Sequence, residues 1–266
     1  MKSFISEDDI EQAICNRLSL PEYGWKRIEC DARVEAQDDV STTGRANPSE
    51  CILPDVFLAA LKRLNPQVEE GVLQGILRNF RKDYTATDMV ETNYKLYNQL
   101  RNGIKKPVRK NGKEDFDIVR LIDFDHPERN DFHCVNQMWI KGHYRYRRPD
   151  VLLFVNGLPV VFIELKNSTV KVEESYNKNL TSYRKDIPNI FSFNQICVLS
   201  NGLQTKIGAW NSRYEFFFEW LRVDNEKEKL DREQIAEHGL SIQNLIDGLF
   251  RKDRLLDYIE NFIFFD

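Results

Sequence analysis

Arg148-Pro-Asp-Val-Leu-Leu-Phe-Val-Asn-Gly-Leu-Pro-Val-Val-Phe-Ile-Glu-Leu-Lys166 is the most apolar segment of the chain, bounded by charged residues at both ends. Its apolar run from Val151 to Ile163 is broken at Asn156-Gly157 and Pro159, which predicts two strands and a turn. Alternation along the second strand puts Val160, Phe162, Glu164 and Lys166 on one face and Val161, Ile163 and Leu165 on the other. A hairpin with a three-residue loop and Gly157 in its left-handed position sets Asp150 directly opposite Glu164. Opposed residues share a face at roughly 4.5–5.5 Å between Cβ atoms, so two carboxylates and an ammonium converge.

Adjacent ionised carboxylates repel, and burial drives one towards its neutral form unless a cation lies between them. Mg²⁺ meets that demand, binding carboxylate oxygens at roughly 2.0–2.1 Å and retaining waters. Such an ion polarises a phosphodiester and neutralises charge developing on phosphorus, and Lys166 on the same face adds to that stabilisation. The competing reading makes Asp150 a strand cap and Glu164 with Lys166 a solvated stripe. Against it, charges interrupting an apolar strand flanked by another apolar strand are expensive without a purpose.

Outward from this hairpin, Ser6 precedes Ile10, Ala13, Ile14 and Leu18 at helical spacing, predicting a first helix on which Glu7 and Glu11 sit one turn apart. Ile28 to Pro48 is polar and loop-like, with a short strand expected at Cys30 to Ala36. Helical spacing returns at Val56 to Leu64, Glu70 to Phe80 and Asp88 to Asn102, the last with Val90, Tyr94, Tyr97 and Leu100 on one side and Gly103 as cap. Strand-like text follows at Phe116 to Phe124, Phe132 to Ile140, Val151 to Val155 and Val160 to Lys166. A helix at about Val172 to Lys185 then leads to an apolar run at Gln195 to Leu199, the order of an α/β unit. The last third is helical in pattern, with Ile242, Leu245, Ile246 and Leu249, then Leu255, Leu256 and Ile259.

Across 266 residues, 38 Lys+Arg against 42 Asp+Glu give a net charge of -4, which excludes wholesale electrostatic attraction to nucleic acid and leaves only a local patch. Lys141, His143, Arg145, Arg147 and Arg148 crowd the approach to Asp150 and supply one; alternation sends Arg145 and Arg147 to one side, as phosphate contacts require. The second basic stretch, Arg101 to Lys113, suits a solvated loop. Five scattered cysteines without a CxxC pair fit buried thiols in a cytoplasmic protein, and no apolar stretch is long enough to span a membrane. His126, His133 and His143 match no zinc spacing, and Phe216-Phe-Phe218 with Trp220 suits a core or docking face better than a base-stacking platform.

Pro149-Asp150 followed by Glu164-Leu-Lys166 resembles the PD-(D/E)xK nuclease signature, and the longer text resembles the N-terminal region of type I restriction enzyme R subunits. Phe4 to Glu11, Arg63 to Pro66, Leu121 to Asp125, Asn130 to Phe132, Val135 to Gln137 and Leu199 to Gly202 extend the likeness over nearly the whole chain. The resemblance implies an α/β fold with a central mixed sheet flanked by helices and further helical segments at both ends. It implies a nuclease domain over 1–220 with a helical insertion at about 53–103, then a helical linker over 221–266. Asp150, Glu164 and the Leu165 carbonyl would be Mg²⁺ ligands, with Mn²⁺ a substitute, and Lys166 the catalytic lysine. An acidic residue of the first helix often completes such sites, and Glu11 is the candidate; a helix-surface carboxylate beside Glu7 is the competing reading.

One departure stands out. The family carries Gln-x-x-x-Tyr on the helix after the site, whereas this chain has Asn179 to Tyr183, so a hydrogen bond made by the usual Gln is expected to be lost or passed through water. The family's following motor hydrolyses ATP, which needs a Gly-Lys-Ser/Thr phosphate loop; Gly112-Lys113 is followed by Glu114, so ATP belongs to the full-length subunit. The apolar ending Asn261 to Asp266 is expected where that motor would begin. The implied partners are DNA and the methyltransferase and specificity subunits of a type I complex; the alternative function is a catalytically inactive module for DNA docking or subunit interaction.

Overall fold

The computed structural model describes residues 4–110, 113–223 and 241–265. Of the sequence readings, residues 224–240 and 266 of the expected C-terminal helical stretch and Gly112 of the Gly-Lys pair lie outside the described residues. A seven-stranded mixed sheet has the order β1-β4-β7-β8-β9-β10-β11, formed by β1 (Lys26–Glu29), β4 (Phe132–Asn136), β7 (Val151–Val155), β8 (Leu158–Leu165), β9 (Ile196–Ser200), β10 (Thr205–Gly208) and β11 (Phe218–Glu219). β1 runs parallel to β4 and β8 parallel to β9; the other neighbours are antiparallel.

The β7–β8 hairpin reaches the expected alignment by an unexpected route. Val155 pairs with Leu158 across Asn156-Gly157, both with positive φ (49° and 80°), as a two-residue hairpin turn requires. Phe154 then pairs with Pro159 but Leu153 with Val161, so Val160 is a bulge. The shorter turn and the bulge cancel, and Val151–Ile163 and Leu152–Phe162 pair as a three-residue loop would have set them. The cost of the bulge falls on Val160, which joins the core on the opposite face from Phe162. Gly157 is required here, because a Cβ would lie 2.6 Å from the Leu53 carbonyl oxygen.

One face of the hairpin (Val151, Leu153, Val155, Ile163, Leu165) packs against α1 (Glu7–Leu18), α2 (Pro54–Leu64), α3 (Glu70–Phe80) and α4 (Met89–Asn102). α1 begins at Ser6 in a reciprocal capping box with Asp9. The other face (Leu152, Phe154, Phe162) packs against the helical run formed by α5 (Val172–Glu174), a π-helical segment Ser175–Leu180 and α6 (Thr181–Asp186). The C-terminal helices α7 (Ser241–Leu249) and α8 (Lys252–Asn261) share the first core. Asp247 of α7 binds Arg17 at 2.6 Å, and the Trp25 indole donates to the Phe250 carbonyl at 3.1 Å. Among the described residues no helix is long and apolar enough to cross a membrane.

Several local expectations give way. The strand expected at Cys30 to Ala36 lies earlier, at β1, while Val34–Ala36 is a short 3-10 turn. An edge strand with one apolar residue has no alternation to betray it. The basic stretch read as a loop is β2 (Ile104–Lys110), paired with β3 (Lys113–Val119) in a separate ribbon where Lys106 stands opposite Asp117. α4 buries Asn93, Leu96, Tyr97 and Leu100 and exposes Val90 and Tyr94. Its face is turned because the Asn93 amide donates to the carbonyls of Phe191, Ser192 and Asn194 inside the core. The strands β10 and β11 interrupt a region read as helical.

Candidate active site

At the open end of the hairpin, past the Val151–Ile163 pair, stand Asp150, Glu164 and Lys166. Glu164 is buried at 1% exposure, whereas Asp150 and Lys166 remain partly accessible. Asp150 Oδ2 accepts the Leu165 backbone N–H at 2.7 Å. Lys166 Nζ donates to the Leu165 carbonyl at 2.6 Å and to Glu164 Oε1 at 3.4 Å, and lies 3.5 Å from Glu7 Oε1. Glu164 Oε1 also accepts from the Asn179 amide, while Glu164 Oε2 is buried with no hydrogen-bond partner.

Burial raises the Asp150 carboxyl to about 7, against the lowering effect of the Leu165 N–H and Lys166. Glu164 is pushed well above the usual carboxylate range, first by burial and then by Asp150. Burial alone would lower the Lys166 ammonium, but Glu164, Glu7 and Asp150 outweigh it and raise its pKa. Lys166 is therefore a held cation, not a proton acceptor near neutrality.

The first helix delivers Glu11 to this mouth. Glu11 is 4% exposed, so the surface-carboxylate reading is set aside; its oxygens accept from Asn136 Nδ2 at 2.8 Å and from Gln137 Nε2. Burial raises its pKa against the pull of those two amides, and its charge acts on Asp150. Tyr183 donates to the Arg148 carbonyl at 3.0 Å, two residues before Asp150, and its ring meets Phe162 edge-on at 5.1 Å. Asn179 reaches Glu164 without an intervening water, contrary to the expectation for the shorter side chain; it lies in the π-helical segment, whose wider turn departs from the assumed α-helical spacing.

The basic approach is rearranged. Arg147 Nε and Nη2 bind Asp186 at 2.7 and 2.5 Å, so this guanidinium is engaged in holding α6. Arg145 lies in the turn between β5 (Ile140–Lys141) and β6 (Tyr146–Arg147), outside the strand whose alternation was to pair it with Arg147, and is exposed. Arg148 stacks over Trp139 at 5.1 Å, donates to the Ala32 carbonyl and acts on the Glu11 charge. His126 binds Asp123, His133 is buried on β4 between β1 and β7, and His143 packs on Tyr144.

The residues reading missed are Asn136 and Gln137, which hold Glu11, and Glu7, which faces Lys166. Two amide side chains directly after an apolar strand were the available signal for the first two. Among the described residues no three His, Cys, Asp or Glu side chains form a group that could hold a metal. The donors at the mouth are instead a carboxylate pair and one carbonyl, with an unpaired buried oxygen on Glu164. That hard-oxygen set fits Mg²⁺, which retains waters in its remaining positions.

The fold and mouth define an α/β protein with a carboxylate–lysine centre at the open end of the central hairpin of a mixed sheet. The chain belongs to the family described as the type I restriction enzyme R protein N terminus, which matches residues 4–216. It is similar to the Type I restriction enzyme HindI endonuclease subunit of Haemophilus influenzae, at 32% identity over 98% of this chain and 24% of that protein. It is similar also to the putative type I restriction enzyme MjaIXP endonuclease subunit of Methanocaldococcus jannaschii, at 31% identity over 84% of this chain and 23% of that protein. The chain thus spans about a quarter of the length of these curated relatives.

Proposed function

We propose that this chain is the Mg²⁺-dependent endonuclease region of a type I restriction enzyme R subunit, hydrolysing phosphodiester bonds of unmodified DNA within a larger complex. The observation that carries this reading is the buried Glu164 carboxylate, with one oxygen unpaired, beside Asp150 and the Lys166 ammonium. Asp150, Glu164 and the Leu165 carbonyl would hold Mg²⁺, or Mn²⁺ in its place, which when bound supplies Lewis-acid stabilisation of charge on phosphate oxygens. Lys166 keeps its proton and stabilises negative charge at the scissile phosphate. Tyr183 and Asn179 fix Asp150 and Glu164 in place through Arg148 and directly. Exposed Arg145 is the phosphate contact left free by the pairing of Arg147, with Arg148 beside it.

The competing reading, an inactive module, drew its support from Asn179; the direct Asn179–Glu164 hydrogen bond favours the catalytic reading. Names of the relatives as endonuclease subunits support a nuclease role. DNA, the methyltransferase and specificity subunits, ATP use and a cytoplasmic setting belong to the longer assembly we infer. The test uses the assembled full-length enzyme. Lys166→Ala is expected to lower DNA cleavage by about 10²–10³-fold while ATP hydrolysis is unchanged; retained cutting overturns the assignment.

A further inference from the structure

We infer that Gln137 is a positioning residue that holds Glu11 at the Asp150 end of the site, where its charge bears on the metal-binding carboxylate pair; this rests on the metal-dependent reading above. β4 ends at Asn136, and in a continuing strand the side chains of residues 136 and 137 would point to opposite faces. Both amides nevertheless donate to the same carboxylate, Asn136 Nδ2 to Glu11 Oε1 and Gln137 Nε2 to Glu11 Oε2. What makes this geometry available is the backbone of Gln137, which has φ 59° and is one of only two non-glycine residues with positive φ among those described. Glutamine gains nothing locally from that conformation, so it persists because its surroundings demand it.

The same residue ties the two carboxylate-bearing elements together. Its backbone N–H donates to the Asp150 carbonyl at 3.0 Å while its side chain grips α1 through Glu11. One residue thereby sets the separation between the helix carboxylate and the strand carboxylate. The oxygens Asn136 Oδ1 and Gln137 Oε1 are both buried without partners, so the pair spends its donors on Glu11 and leaves its acceptors unmatched. A purely structural strand end has no reason to accept that loss. Each Glu11 oxygen thus has its own amide donor, which fixes the carboxylate beside the Asp150 strand at little further ordering cost.

The test is Mn²⁺ titration by calorimetry on the whole chain, with thermal unfolding followed in parallel. Gln137→Gly, which accepts the left-handed backbone, is expected to unfold cooperatively and to bind Mn²⁺ about 10-fold more weakly. Gln137→Asn tolerates the same backbone but falls one methylene short of Glu11, and is expected to weaken binding in the same direction. Because the residue acts through Glu11, adding Gln137→Gly to Glu11→Ala is expected to change Mn²⁺ affinity no further. Wild-type affinity in both Gln137 variants, or an equal loss in the Glu11→Ala background, overturns the positioning role. Mn²⁺ binding that is unaffected by Glu164→Ala overturns instead the metal reading on which it rests.

Discussion

The two ends of the β7–β8 hairpin are built from the same strands and treated in opposite ways. At the turn, Asn156 is fully buried, yet its side chain donates to the Leu121 carbonyl and Asn130 Oδ1 at 2.9 and 2.8 Å and accepts the Asp131 N–H at 2.8 Å. Asn130 in turn bonds both backbone groups of Asp123, whose carboxylate meets Arg129 at 2.9 Å. No side-chain polar atom of these three residues is left unpaired. At the mouth, Glu164 Oε2, Asn136 Oδ1 and Gln137 Oε1 are buried without partners, and two carboxylates are held far from their ordinary titration. The turn end lowers the free energy of the fold; the mouth raises it, a pattern that marks where function resides.

The contrast breaks first if chemistry does not follow the mouth. The Lys166→Ala substitution in the assembled enzyme carries the largest expected effect, the loss of cleavage described above, and cutting at the wild-type rate would leave the mouth without a role. At the closed end, Asn156→Ala strands the Leu121 carbonyl and the Asp131 N–H and puts alanine at φ 49°, costing about 3 kcal/mol. Thermal unfolding should fall by roughly 6–12 °C with Mn²⁺ affinity unchanged below the transition. A variant that melts like the wild type but binds metal poorly would invert the comparison.

Smaller effects sharpen it. The folded Asp150 carboxyl titrates at about 7, above its unfolded value of about 3.9, so its contribution is fully present below about pH 4 and is lost as pH rises towards 7. The metal-free chain should therefore lose about 2–4 kcal/mol of stability from Asp150 across that window, and Asp150→Asn should remove that share of the slope in denaturant unfolding measured at several pH values, leaving a slope of the same sign from Glu164 and Glu11. Smallest of all, Asn179→Gln is expected to change cleavage by less than about three-fold, because Asn179 already bonds Glu164 directly. A large gain of activity would mean that the shorter side chain leaves the site incomplete.

The facing of Asp150 and Glu164 was legible because period-two alternation and one glycine turn limit the alternatives, although the actual turn and the Val160 bulge were not. Two offsetting irregularities within one hairpin leave no trace in apolar patterning. The helix start at Ser6 followed from local spacing, whereas Glu11 was a candidate only through the family resemblance, and the amides that hold it lie more than a hundred residues away at the end of β4 and just past it. The Arg147–Asp186 ion pair was not legible because Asp186 sits at the end of α6, a long-range pairing no local pattern encodes. The strands β1, β10 and β11 escaped notice because they are two to four residues long and bury little apolar surface.

Whether Asp150 and Glu164 hold a metal together is tested by Mn²⁺ calorimetry on the chain with Asp150→Ala and Glu164→Ala beside the wild type. Wild-type binding should strengthen as pH rises through about 7, with proton release, and be lost in both variants. Equal titration curves for all three proteins would contradict it.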